Sequence, residues 1–440
     1  MVIEVALTIA ATLLVAFAVG LHVGTALGMA SLLAGVLFIG DVWDFFGHIP
    51  WAVNSSLTMV VVPLFILMGE ILIRAGLTED LYTTMSKWLN RVPGGLLHTN
   101  IMASGVFAAV SGSSVATATT IGSVALPILN RRGYPQKITL GSIAAGGTLG
   151  ILIPPSIIMI VYGLVAEVSI GQLYVAAVIP GILLMGLFML AIAIYAVVTN
   201  MSKTIEPEAA ATWGEKFQSL LKVLPIVLLI GAVMGTIYLG IATAIEAAAI
   251  GVLGAFLIAL WKKRVNYSML VETFQSTAAT TAMVMFIVLG AFLMQSILSL
   301  VGLPMAISQW VMSLGLSQLE LILLICLVYL LLGTVMDGLA IIVATMPIFL
   351  PMLKSAGIDL VWFGIIVVIL VELALITPPV GMNIFVIQGI RKRIAKAGEK
   401  VGGMGDVFIG VLPFVVAMVV LLALIIAFPS ITTMLLSNVK

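Results

Sequence analysis

The sequence predicts an all-α polytopic membrane protein: two inverted repeats of five spans each, with two re-entrant hairpins and two broken helices. Three observations carry that reading. The 440 residues are 62% hydrophobic and only 8% charged, with a mean hydropathy of +1.30, whereas a soluble domain carries about 25% charge. Two apolar stretches, "GILIPPSIIMIVYG" (150–163) and "ALITPPVGMNIFVIQG" (374–389), are each interrupted by a proline pair, and the pairs stand 224 residues apart. "MGEILIRAGL" (68–77) and "MQSILSLVGL" (294–303) match at five of ten positions with an offset of 226. Separate motifs at a near-constant offset mark a duplicated unit of roughly half the chain.

The spans follow in order. In the first half they are 2–20, 22–40, 57–74, the broken 138–167 and 172–199. In the second half they are 223–240, 241–261, 275–301, the broken 361–390 and 409–436. About 20 apolar residues cross a bilayer, and the absence of alternating ten-residue strands leaves helices rather than a barrel. Residues 2–20 read as a first span rather than a signal peptide, because Glu4 stands where a basic n-region belongs.

Between the third and fourth spans of each half lies a further apolar stretch, 97–130 and 318–353. Small polar residues interrupt each near its middle, so each reads as a re-entrant hairpin. The segment 77–95 places Leu77, Leu81, Met85, Trp88 and Leu89 at helical spacing with charges between them, the pattern of a helix lying flat at the interface. It and 303–317 read as arm helices holding a mobile unit or, equally, as ordinary amphipathic connectors, and the polar 200–222 as a connector between halves.

Loop charge supplies the inversion. "RRGYPQK" (131–137) is basic where its counterpart "KSAGID" (354–359) is balanced. "RKRIAKAGEK" (391–400) is strongly basic where "AEVSIGQ", after the first broken helix, is acidic. Cytoplasmic loops carry the excess of Lys and Arg, so corresponding loops are expected on opposite sides. Hairpin 97–130 then enters from the cytoplasm and 318–353 from outside, with both termini outside.

The first hairpin's tip holds seven hydroxyl residues among the thirteen from Ser111 to Ser123. Hydroxyls also pack transmembrane helices together, but Ser111, Gly112, Ser113 and Ser114 are consecutive and placed where the chain must turn at mid-depth. A helix broken at that depth exposes carbonyls at one end and amides at the other. The carbonyl end, helped by hydroxyls, suits a bare cation; the amide end suits an anion. "AGGTLGILIPPS" (145–156) facing the first tip makes one expected cage, and "LLGTVMDGLA" (331–340) facing "ITPPVGMN" (376–383) makes its inverted twin. Paired broken helices in inverted repeats point to a secondary transporter's binding site, although a structural kink alone accounts for either pair taken singly. Asp337 is the acidic residue of the second tip, and a carboxylate at membrane depth is costly unless paired or hydrated. It would ligate a cation, organise the tip or hydrogen-bond the substrate, or else simply face water at a cavity mouth. Glu372 would brace the second break; Glu70 and Glu246 read as snorkelling or capping residues.

Other classes fall away. A net charge of +1 without a long basic tract offers no nucleic-acid surface. The single cysteine, Cys326, forms no disulfide within the chain, and three histidines show no metal spacing. No nucleophile–base constellation marks an enzyme, and no Lys or Arg lies in either hairpin core or beside either break.

At these motifs the chain resembles the large membrane (DctM-like) subunit of a tripartite ATP-independent periplasmic (TRAP) transporter. "SGSSVATATTIGSVALPIL", "GGTLGILIPPSIIMIVYG", "IATAIEAAAIGV", "GTVMDGLAIIVATMPIFLPML" and "ELALITPPVGMNIFVIQG" carry the likeness over essentially the whole chain. The resemblance implies an elevator transporter in the bacterial inner membrane that couples uptake of an organic acid anion (C4-dicarboxylate, sialic acid or similar) to Na⁺. It also implies a small four-helix (DctQ-like) membrane subunit and a periplasmic substrate-binding (DctP-like) protein as partners. Carried onto this sequence, one Na⁺ site involves Ser111, Ser113, Gly147, Gly150 and Pro154, and the other Gly333, Asp337, Thr377 and Gly381. Substrate contacts are expected at Ser114, Ser156, Asp337 and Thr377. The division implied is scaffold 1–76, transport unit 77–171, scaffold 172–302, transport unit 303–390, and a basic loop with a last scaffold span in 391–440. A stand-alone divalent-anion/sodium symporter of related architecture is the alternative.

Overall fold

The computed structural model describes residues 2–201, 205, 211–333, 336–378, 381–395 and 402–436. Pro379, the tip residues 334–335, most of the connector's centre (202–204 and 206–210) and 396–400 of the basic loop lie outside that set. The first half runs α1 (Val2–Ala18), α2 (Val23–Phe38), α3 (Trp43–Asn54), then a 3₁₀ turn (Leu57–Val60) leading into α4 (Val61–Arg74). It continues with α5 (Leu77–Leu89), α6 (Leu96–Ser111), α7 (Ser114–Arg131), α8 (Gln136–Leu152), α9 (Ile157–Ala166) and α10 (Ile170–Val198). The second half runs α11 (Trp213–Tyr238), α12 (Ala244–Trp261), α13 (Tyr267–Val301), α14 (Leu303–Ser313) and α15 (Gln318–Gly333). α16 (Gly338–Ser355), α17 (Leu360–Ile376), α18 (Met382–Ile394), α19 (Met404–Ala427) and α20 (Ser430–Thr433) complete it.

Among the described residues seven helices are long and apolar enough to cross a membrane, or eight if α8 and α9, bent by 41° at their break, count as one span. The hairpin and broken-helix segments of the two halves correspond in order. α7 and α16 begin and end 224 residues apart, and so do α8 and α17. Gly133 and Gly357, at the same spacing, both turn with left-handed φ, +71° and +68°. The arms α5 and α14 both start at a left-handed glycine, Gly76 and Gly302.

Several boundaries differ from the sequence reading, among them the start of α13, at Tyr267 rather than 275. Segment 43–54, left unassigned between the second and third spans, is the helix α3; its Pro50 and exposed Trp43 and Trp51 hide the periodicity. The helix α11 starts at Trp213, inside the supposed connector. A capping box opens it: the Thr212 hydroxyl accepts from the Glu215 amide at 3.3 Å, and the Glu215 carboxylate accepts from the Thr212 amide at 2.7 Å. Edge-on packing of Trp88 on Trp213 and Phe217 then fastens that polar start to arm α5. The last span stops at Ala427, short of 436, before Phe428 and Pro429.

The centre of the molecule is the pair α8 and α17. Every residue from Ile138 to Leu152 and from Val361 to Ile376 is buried. Such all-round burial is what helices apolar on every face require. The helix α19 packs against both. Gly141 and Gly410 meet backbone to backbone, leaving no room for a Cβ on either. The Trp362 indole N–H donates to the Ile425 carbonyl at 3.0 Å. Arg391 of α18 is buried and pairs with Asp406 of α19 at 3.1 Å while also donating to Gln136, the first residue of α8. These ties bind α19 to both broken helices.

Candidate ion and substrate site

The first hairpin turns where glycine is required. α6 ends at Gly112 with φ +59°, and a Cβ there would sit 2.7 Å from the Pro155 carbonyl oxygen. Ser113 follows as N-cap of α7, its hydroxyl accepting from the Ala116 amide. The Ser111 and Thr117 hydroxyls stand 2.8 Å apart, and Thr117 donates to the Ser113 carbonyl at 2.8 Å. The tip is therefore a knot of hydroxyls folded back on its own backbone.

Facing it is the end of α8. A Cβ on Gly150 would come 2.5 Å from the Ser113 carbonyl oxygen and 2.7 Å from the Thr117 hydroxyl, and one on Gly147 would meet Ala118 at 2.6 Å. The last helical bond of α8 runs from Ile153 N–H to the Leu149 carbonyl, 3.0 Å. Pro154 and Pro155 then remove the donors that would serve the carbonyls of Gly150 and Ile151. Ser111, Ser113, Gly147, Gly150 and Pro154 thus gather at one junction. Ser156 lies beside it, 1% exposed, its Cα 3.6 Å from a Gly112 Cβ and its hydroxyl without a hydrogen-bond partner.

The second half repeats the plan. Asp337 is N-cap of α16, its carboxylate accepting from the Leu339 amide at 3.3 Å. Gly333 packs on Ala374 of α17, the residue 224 positions after Gly150. α17 ends at Thr377, extended like Ile153, with its hydroxyl bonded to the Leu373 carbonyl at 2.5 Å. Gly381, φ +56°, has the Thr377 carbonyl 3.2 Å from a would-be Cβ. Gly333 therefore joins α17, and Gly381 joins Thr377. Among the described residues no hydrogen bond ties Asp337 to Thr377.

Two residues extend the expected set. Asn383 of α18 is fully buried, and its Nδ2 donates to the Ser114 hydroxyl at 2.7 Å and to the Ala144 carbonyl at 3.3 Å. An amide just after the second break, one of two in that run with Gln388, is its only signal in the sequence. Glu372 is also fully buried, its carboxyl group lying by the Leu152 backbone at the end of α8. Glu246 closes a capping box with Thr243, and Glu70 pairs with Arg74. A cavity of about 380 Å³ touches the first break, lined by Ile153, Pro154, Ala109, Met185 and Met234; it is apolar.

The profile of the family described as "Tripartite ATP-independent periplasmic transporter, DctM component" matches residues 10–431. The chain belongs to the DctM family. It is 36% identical over 365 residues to the C4-dicarboxylate TRAP transporter large permease protein DctM of Pseudomonas aeruginosa, covering 83% of this chain and 84% of the relative. It is 31% identical to the sialic acid TRAP transporter large permease protein SiaM of Vibrio cholerae, covering 87% and 86%. Among solved structures, the YdaH transporter of Alcanivorax borkumensis superposes with a TM-score of 0.65 at 14% identity, covering 92% of this chain and 96% of that one. That likeness concerns the fold alone. As a DctM component the chain is a TRAP large permease, a multi-pass membrane transporter consistent with the bacterial inner membrane.

Proposed function

We propose that this DctM chain carries an organic acid anion inward by Na⁺-coupled elevator transport, with a periplasmic binding protein delivering the cargo and a small four-helix subunit completing the permease. The observation that carries the reading is the pair of matched junctions, in which a hairpin tip capped by Ser113 or Asp337 packs on a helix that prolines end. Carbonyls deprived of their helical donors, next to serine hydroxyls, form a hard-oxygen donor set of the kind that suits a small cation at membrane depth. Cation charge there would draw a carboxylate to the amide ends of α9 and α18 without a lysine or arginine. In this reading Ser111, Ser113, Gly147, Gly150 and Pro154 hold one Na⁺, and Gly333, Asp337, Thr377 and Gly381 hold the other. Ser114, Ser156, Asp337 and Thr377 face the cargo. The relatives' named cargoes, C4-dicarboxylates and sialic acid, are organic acids, and they support that substrate class here.

The moving body comprises α6–α9 and α15–α18, with α5 and α14 as its arms, against a scaffold containing α1–α4 and α11–α13. The ties of α19 to α8, α17 and α18 favour counting it with the moving body, in place of the scaffold position expected from the sequence. Glycine backbones in contact and a buried arginine pair do not slide past one another cheaply. The inverted topology, with both termini periplasmic, rests on loop charge. Reconstitution with the small subunit tests the whole: uptake of a C4-dicarboxylate or sialic acid is expected only with Na⁺ and the cognate binding protein. Uptake without any binding protein would favour the stand-alone symporter.

A further inference from the structure

Each hairpin tip meets the helix that follows the break of the other half, and the two meetings differ in chemistry. Ser114, the first residue of α7, bonds Asn383, the second residue of α18, at 2.7 Å. Gly338, the first residue of α16, faces Ile158, the second residue of α9; a Cβ on Gly338 would sit 3.0 Å from the Ile158 Cδ1. The repeat therefore places a polar link on one side of the molecule and an apolar contact in the equivalent place on the other. The orientation of the amide follows from its surroundings. The Ala144 carbonyl only accepts, so the nitrogen of Asn383 must face it, and the Oδ1 is left without a partner. A fully buried amide held this way is costly to keep unless its position matters.

We infer that Asn383 is a positioning residue that locks the first tip to the second broken helix, so that the two ion junctions act as a coupled and unequal pair. Ser114 follows directly on Ser113, whose carbonyl faces Gly150. A shift of α18 when the second junction fills is thus passed by the Asn383–Ser114 bond to the first. Among the described residues the second tip shows no such polar link, and Ile158 offers only packing. The inference rests on the ion-site reading above in one respect, that the junctions bind the same cation.

The test uses the purified complex of this chain with its small subunit, in wild type and in Asn383→Leu, Ser114→Ala and the double variant. Two readouts are taken: the Na⁺ concentration giving half of the sodium-induced rise in thermal midpoint, against choline, and amide hydrogen exchange across residues 114–117. Asn383→Leu is expected to raise the sodium half-point about threefold to tenfold, the loss of one buried hydrogen bond, and to speed exchange at the first tip. The double variant should be no worse than Asn383→Leu alone, since both changes remove one link. Wild-type exchange at 114–117 in Asn383→Leu, or strictly additive effects, overturns the inference. Absence of any sodium response in wild type removes the sodium reading, and the exchange data still decide the link. Should Asn383→Leu fail to insert, Ser114→Ala breaks the same bond from the other end, and wild-type values for it count against the lock.

Discussion

Gly150 lies against Ser113 so closely that any side chain on the glycine would enter the serine's carbonyl oxygen, 2.5 Å from the Cβ position. The neighbour is backbone at a helix cap, so it has little room to give. Gly150→Ala is expected to push the first tip away from α8 and lower uptake more than tenfold, with about 1–3 kcal/mol of lost stability from overpacking. Uptake assays on variant and wild-type proteoliposomes at equal insertion check this; wild-type rates would separate the junction from transport.

Ser113 and Asp337 hold the same position in the two halves, each capping the second helix of its hairpin. Ser113→Ala should cost about 1 kcal/mol of local stability and raise the sodium requirement. Asp337→Ala should do the same at the second tip and lower the maximal rate as well, because a charge or acid hydrogen is lost. Sodium titrations of uptake read both; if the two curves overlay the wild type, the tips have no part in ion coupling.

Sodium itself is removable. With Na⁺ replaced by choline on both sides of the membrane, accumulation of the organic acid should stop, and restoring an inward Na⁺ gradient should restart it. Accumulation driven by a pH gradient alone would assign the coupling to protons.

The contact of Gly141 with Gly410 predicts a packing effect far from the ions. Gly410→Leu should separate α19 from α8, lower the thermal midpoint by several degrees and abolish uptake. A variant that keeps the wild-type midpoint would show that this crossing tolerates a side chain.

Topology can be read by labelling. In a Cys326→Ala background, Arg131→Cys and Lys392→Cys are expected to react with an impermeant maleimide only from the cytoplasmic side; both parent residues are exposed. Opposite accessibility of the two would undo the inverted arrangement.

Much of the site was legible in the chain because its signals are local. A proline pair breaks a helix wherever it stands, and a run of serines with glycine turns wherever the backbone can be satisfied. The ends of α7 and α8 and their copies α16 and α17 fell within a few residues of the sequence reading for that reason. The helix α3 was not legible, and the start of α11 was passed over although Thr212 and Glu215 form a capping box whose spacing is a local signal. Trp88 packing on Trp213 and Phe217 ties the start of α11 to a distant helix, and α3, whose polar residues resemble a loop, packs on α13.

The sequence by itself determined the solvent, the helical class, the duplication and the places where the helices must break, since each follows from composition, spacing or a missing amide proton. Only the tertiary structure decided which break each tip touches, that Asn383 reaches across to Ser114, and that α19 is bound to both broken helices. Those are contacts between residues hundreds of positions apart, and no local rule of backbone chemistry chooses among the partners that burial makes available.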